Sequence, residues 1–316
     1  MTAKRRLVPT PPLRFGDGRE CTFPASLAVA TGVDYDWLMG CSGAAFTATI
    51  DREGWDPLAA TPRDPGTLAL AARAAGVRLD NVPPPFDDDL RPFVLARIEE
   101  ALDEKLLPVV RGIGGPPEFG LIVGCDGTTI DCQTFFDRDA KPTRVGWDAF
   151  RDEDHGGLLF LDRLAEPHPR ALLAREALDH AVEGASASRD AILAWIGGLR
   201  DDARWTDPKH AGSSAFADHA MRATLCDRRR AAARFLRGLR AVFPDAPGAD
   251  LIVAAESYGH AADAVARGGL GPFDAGVAVR FQDVGRRRGL ANFPEKALEH
   301  ESAGLAAIAD ARAHIR

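Results

Sequence analysis

The first 154 residues contain no histidine; all eight (155, 168, 180, 210, 219, 260, 300 and 314) come later. Chemistry in the first half that needs an imidazole must therefore borrow it from the second. Cysteine is scarce as well. The five (21, 41, 125, 132 and 226) form an odd set with no CxxC pair, which argues against a disulfide framework and a zinc knuckle. A reducing cytoplasm is the expected compartment. No apolar run approaches the roughly 18 residues of a membrane span. The opening "MTAKRRLVPTPPLRFGDGRE" starts basic, but no apolar run follows, so it does not read as a secretory signal. No HExxH or similarly dense ligand spacing occurs, so neither metal nor cofactor is expected. A basic surplus is missing too: net charge is −7, and the acidic excess lies before residue 166. Nucleic acid is therefore not an expected partner. One local exception is "RATLCDRRRAAARFLR", whose arginines read as a solvated or salt-bridged helix face.

What is present is an ordinary globular composition, 46% hydrophobic and 27% charged, over 316 residues. That length suits two domains. The first half alternates short elements. "FPASLAVATG" and "DYDWLMG" predict helices, with Gly32 and Gly40 as stops. "AFTATI" alternates like a strand. "DPGTLALAARAAG" predicts a helix with Asp64 as N-cap and Gly76 as its stop. "VRLDNV" is the next strand, and "DDDLRPFVLARIEEALDEK" a helix with acids in its first turn. "PVVRGI", "FGLIVGC" and "TTIDCQTF" predict three strands, the last two joined by the tight turn "CDGT"; "GGLLFLDR" is a further one. After residue 165 the apolar spacing is helical throughout, and "AGVAVRFQDVGRRRG" is the weakest of those helices. The expected organisation is an α+β domain over 1–165 and an all-helical domain over 166–316.

A helix near the N-terminus, an acidic helix, then "LPVVRGI…GPPEFGLIVGCDGTTIDC" resembles the order of parts in papain-like folds. It is similar to the C39-peptidase-like branch and to the N-terminal domain of the butirosin-biosynthesis H proteins. The fragments "FPASL", "YDWLMGCSGAAF", "WDP", "GPPEFGLIVG" and "AARFLR…AAESY" resemble a bacterial subgroup of that kind. The resemblance implies a papain-like fold with a cysteine at the start of the first helix. It also implies a histidine at the start of a strand resembling "FGLIVG". Here that place reads "PPEFGL", so the ordinary Cys–His dyad is absent by pattern. A histidine from the helical domain or Glu118 itself would have to replace it. A carboxylate beside a thiol disfavours the thiolate. Glu118 is therefore a better partner for an amine or guanidinium on a ligand.

Cys21 precedes the helix near Pro24, where a positive helix end favours a thiolate. It falls slightly early for a first-turn nucleophile, and Ser26 stands nearer that slot. Cys41 sits in "MGCSGAAF", where Ser42 and Gly43 could shape an anion-binding turn or where a small cysteine is simply packed. Glu118 follows a glycine- and proline-rich loop of the kind that often contacts ligands. Trp37, Trp55 and Phe46 are core or pocket wall. In "AAESYGH", Glu256 and His260 are four apart and share a helix face, with Tyr258 pointing elsewhere. The expected function is a non-peptidase papain-like protein. It would bind a small cationic or amino-acid-like ligand in an interdomain cleft through Ser42, Gly43, Glu118, Trp37, Glu256 and Tyr258. The alternative is a cysteine-dependent acyl transferase or amide hydrolase, with Cys21 or Cys41 as nucleophile, His260 as base and an acyl or amine substrate.

Overall fold

Short alternating segments in the first half form one antiparallel sheet. The strands are β1 (Arg6–Leu7), β2 (Val77–Val82), β3 (Val109–Arg111), β4 (Phe119–Cys125), β5 (Thr129–Gln133), β6 (Thr143–Gly146) and β7 (Leu158–Arg163). Their order is β2-β7-β3-β4-β5-β6, and β1 pairs with the end of β4 beyond the reach of β3. Every pair is antiparallel. This computed structural model describes residues 5–137, 141–152, 157–244, 248–270 and 273–315. By contact the chain divides into two units, Met1–Leu38 with Leu68–His168, and Met39–Thr67 with Pro169–Arg316. The second unit thus draws a segment from the first half of the chain. It is otherwise helical, so the protein combines helices and an antiparallel sheet with a helical C-terminal region.

In the first unit β4 reads "FGLIVGC" and all seven residues are buried. Such a run is covered on both faces. Helix α1 (Thr22–Thr31) packs on β4, with Phe23 edge-on to Phe119 at 5.0 Å between ring centroids. It ends as expected at Gly32, whose φ of 73° supplies the left-handed C-cap. Helix α2 (Tyr35–Cys41) does not stop at Gly40 but runs through it. Gly40 serves packing instead: a Cβ there would fall within the ring of Phe235. Helix α3 (Pro65–Ala74) has the predicted cap, with Thr67 N donating to Asp64 Oδ1 at 2.8 Å. Helix α4 (Arg91–Asp103) begins after the acids expected in its first turn. Asp87 instead accepts from Leu90 N at 2.8 Å, closing the turn that precedes the helix. Strand β6 and helix α5 (Trp147–Asp152) have no counterpart among the predicted elements.

The second unit holds α6 (Arg170–Glu183), α7 (Ala185–Arg200), α8 (Pro208–Val242), α9 (Gly248–Ala266), α10 (Ala275–Arg280), α11 (Val284–Leu290) and α12 (Asn292–His314). Helix α9 packs against both α8 and α12. Its buried alanines, among them Ala254, Ala255, Ala261 and Ala262, let these helices approach closely. The weak helix "AGVAVRFQDVGRRRG" is two helices, broken where Asp283 caps α11 by accepting from Arg286 N at 2.9 Å. Trp55 and Trp205 meet edge-on at 5.8 Å within a core that includes Trp195 and Phe281. No helix among the described residues is long and apolar enough to cross a membrane.

"AFTATI" is not a strand. Its carbonyls are taken by arginines of α8. Ala45 O and Thr47 O accept from Arg229 at 2.8 and 2.9 Å, and Thr47 O also accepts from Arg228 at 3.0 Å. An acceptor row held by guanidinium groups is not offered to a neighbouring strand. The arginine-rich stretch is therefore a solvated face only in part: Arg230, Arg234 and Arg237 are exposed, while the others turn inward. Arg222, Arg228 and Arg229 are at most 1% exposed; Arg222 is paired with Asp218 and Arg229 with Glu301.

Candidate functional site

The N-terminus of α1 meets the first residue before β4. The glycine-bearing loop after β3 turns the chain, with Gly112 at φ 88° and Gly114 at φ 71°. Gly112 N donates to Glu118 O at 2.9 Å, and Glu118 N donates to Pro116 O at 2.6 Å, so the loop closes on itself. Arg111 braces it, donating from Nε to Pro117 O at 3.0 Å while its guanidinium lies over the Phe119 ring. This delivers the Glu118 side chain to α1. Thr22 Oγ1 donates to Glu118 Oε2 at 2.6 Å and accepts from Phe119 N at 3.3 Å. The carboxylate thus stands at a helix N-terminus, where the macrodipole favours negative charge. Glu118 is half-buried. Cys21 occupies the N-cap position of α1 with an extended backbone and is fully buried. The structure therefore brings Cys21 and Glu118 to one place, joined through Thr22.

Thr22 is not among the residues that the sequence patterns single out. A signal existed, because serine and threonine at a helix start commonly hydrogen-bond there. Ser26, nearer the slot for a first-turn nucleophile, is wholly buried and its hydroxyl has no partner. Trp37 is buried in the same unit, its indole N–H donating to Ala74 O at 3.3 Å.

The "MGCSGAAF" turn is closed by its own backbone. Gly43 N donates to Gly40 O, Ala45 N to Met39 O and Phe46 N to Gly43 O, each at 3.0 Å. Ser42 Oγ donates to Met39 O at 3.2 Å and accepts from Ala44 N at 3.4 Å. Gly43, at φ 76°, lies against His180. These amides point into the turn rather than toward an open concavity.

On α9, Glu256 and His260 are exposed, while Tyr258 is buried. The His260 ring lies 5.4 Å from that of His300, and burial holds the His300 imidazole below its ordinary range. Tyr258 packs edge-on to Phe46 at 5.4 Å with Arg229 over its face. Burial pushes its phenol well above the usual range, so it stays neutral. None of the five cysteines is in a disulfide and all are buried, Cys41 being the most accessible at 4%. Burial raises the Cys125 thiol pKa. His168, the one described histidine of the first unit, is exposed, and His155 lies outside the described residues. Among the described residues no group of three or more His, Cys, Asp or Glu is placed to hold a metal ion.

No family model matches the chain, and no curated protein matches it.

Proposed function

We propose that this chain is a non-peptidase member of the papain-like group that binds a small cationic or amino-acid-like ligand, with Glu118 as the recognising carboxylate. The observation that carries the reading is the burial of every thiol beside a carboxylate that stays half-exposed. A nucleophilic sulfur must meet an acyl carbon, and Cys21 offers none of its surface to one. Glu118 is fixed by the Thr22 hydroxyl and a braced loop, so it can meet an ammonium or guanidinium group with little loss of side-chain freedom. The lack of histidine before residue 155 supports the same reading for Cys21, since its own part of the chain supplies no imidazole to make a thiolate, whereas the Cys41 turn packs against His180 through Gly43. The competing reading, a cysteine-dependent acyl transferase or amide hydrolase, is favoured by one fact: Cys21 stands at the positive end of α1.

The test is titration calorimetry of wild type and Glu118→Gln against arginine, lysine, putrescine and butylamine. Glutamine keeps an acceptor for Thr22 but removes the charge. A charge-assisted hydrogen bond is worth about 1.5–3 kcal/mol, so the substitution weakens binding roughly tenfold to a hundredfold. If none of the four binds wild type, or if the variant binds one equally well, Glu118 is not the recognising group.

A further inference from the structure

Two opposite charges stand beside each other at the start of β4 without forming an ion pair. Arg111 pairs with Phe119 across β3 and β4, so the two side chains leave the sheet on one face. The guanidinium lies over the Phe119 ring, and its Nε donates to Pro117 O at 3.0 Å. Pro117 directly precedes Glu118, so peptide geometry holds Arg111 Nε within about 6 Å of the Glu118 Cα. The Glu118 carboxylate is nonetheless bound by Thr22. Among the described residues no carboxylate forms an ion pair with Arg111. The arginine is half-buried; its Nη groups make no hydrogen bond among the described residues and are not sealed from solvent. Arg97, in the same unit, shows the filled arrangement: it lies over Phe160, and its Nη groups reach Asp80 and Asp162.

A guanidinium keeps its charge at any ordinary pH, and its planar fork fits a carboxylate through two parallel hydrogen bonds. With Nε occupied by Pro117 O, the edge left for an acceptor is the Nη1/Nη2 pair. Arg111, Glu118 and Thr22 belong wholly to the first unit. We infer that Arg111 binds the carboxylate of an amino-acid ligand whose ammonium group meets Glu118. The inference rests on the reading of Glu118 as the ammonium partner and narrows its ligand to a free amino acid. Both groups are anchored before the ligand arrives, Glu118 by Thr22 and Arg111 by Pro117 O, so little side-chain freedom is lost on binding. A zwitterion completes both charges, whereas a simple amine completes one and leaves Arg111 to water.

The test compares each amino acid with the amine left when its carboxylate is removed, lysine with cadaverine and arginine with agmatine, by titration calorimetry. Wild type is expected to bind the amino acid of each pair roughly tenfold or more tighter. In Arg111→Gln the ratio within each pair falls toward one, whatever the lost bracing of the loop does to the affinity common to both. In Glu118→Gln both members weaken together and the ratio is kept. The wild-type comparison stands even where a variant fails to fold. Equal affinities for amino acid and amine in wild type, or a ratio that survives Arg111→Gln, would overturn the inference and leave the Glu118 reading intact. Binding of neither member of either pair removes the Glu118 reading, and this inference with it.

Discussion

Removing Glu301 should unfold the second unit far more readily than an ordinary surface substitution does. Glu301 accepts two hydrogen bonds from Arg229, at 2.7 and 2.8 Å, and the arginine is fully buried. Glu301→Ala leaves that guanidinium in place without its charge partner. Breaking a buried pair from one side costs about 3–5 kcal/mol, against a total stability of roughly 5–15 kcal/mol. The double variant Arg229→Met/Glu301→Leu separates the pair's charge from its packing. Apolar replacement of both partners is often neutral, but here Arg229 also serves the carbonyls of Ala45 and Thr47. Thr47 O keeps Arg228 as a donor, so the main loss is Ala45 O, costing about 1–3 kcal/mol. The predicted order of stability is wild type, double variant, single variant. Urea unfolding with a common m-value measures it. A single variant within about 1 kcal/mol of wild type, or a double variant weaker than the single, would refute the argument.

Gly40→Ala places a methyl where the Phe235 ring lies. It should cost about 1–3 kcal/mol or more, and Phe235→Leu on that background should recover stability in the same unfolding assay. Thr22→Val removes the donor to Glu118 and should lower stability by about 1–3 kcal/mol, while Thr22→Ser keeps most of it; thermal unfolding distinguishes the two. In the "CDGT" turn, Thr129 N and Thr128 Oγ1 each donate to Asp126 Oδ1 at 2.9 Å. Hydrogen bonds from Thr129 and then Thr128 hold that carboxyl well below the usual carboxylate range. A depressed folded pKa gives stability that is complete above the unfolded value, 3.8, and is lost as pH falls toward the folded one. The melting-temperature gap between wild type and Asp126→Asn should therefore be constant at neutral pH and narrow below about pH 4; a gap that widens in acid contradicts this.

Periodicity made much of the architecture readable. "VRLDNV" spans β2 residue for residue, and "FGLIVGC" spans β4, because a covered strand leaves a continuous apolar run. Asp64 and Gly32 carried their cap chemistry openly. Two of the failures, the strand expected at "AFTATI" and the solvated arginines, share a cause in buried polar groups. "AFTATI" alternates like a strand, yet its acceptors are taken by arginines almost two hundred positions away. The burial of those arginines had a faint signal. Consecutive helical residues lie about 100° apart, so a three-arginine run sweeps about 200° of the helix surface. On a helix packed along both sides, part of that arc must face inward. The Thr22–Glu118 bond joins residues 96 positions apart, and no local pattern encodes such a pairing. The place of Glu118 at the end of a glycine-bearing loop was nonetheless readable, and so was that of Tyr258 off the Glu256–His260 face.

The central claim is that no thiol of this protein is a working nucleophile. It is tested most directly by timed iodoacetamide labelling of the native protein from pH 5 to 9, with sites read by mass spectrometry and compared with the urea-unfolded chain. The account predicts that Cys21 and Cys41 are protected throughout, labelling far more slowly than in the unfolded chain. Rapid modification of either one near neutral pH, with a rate that titrates as a single low-pKa group, would contradict the account and favour the acyl-transfer reading.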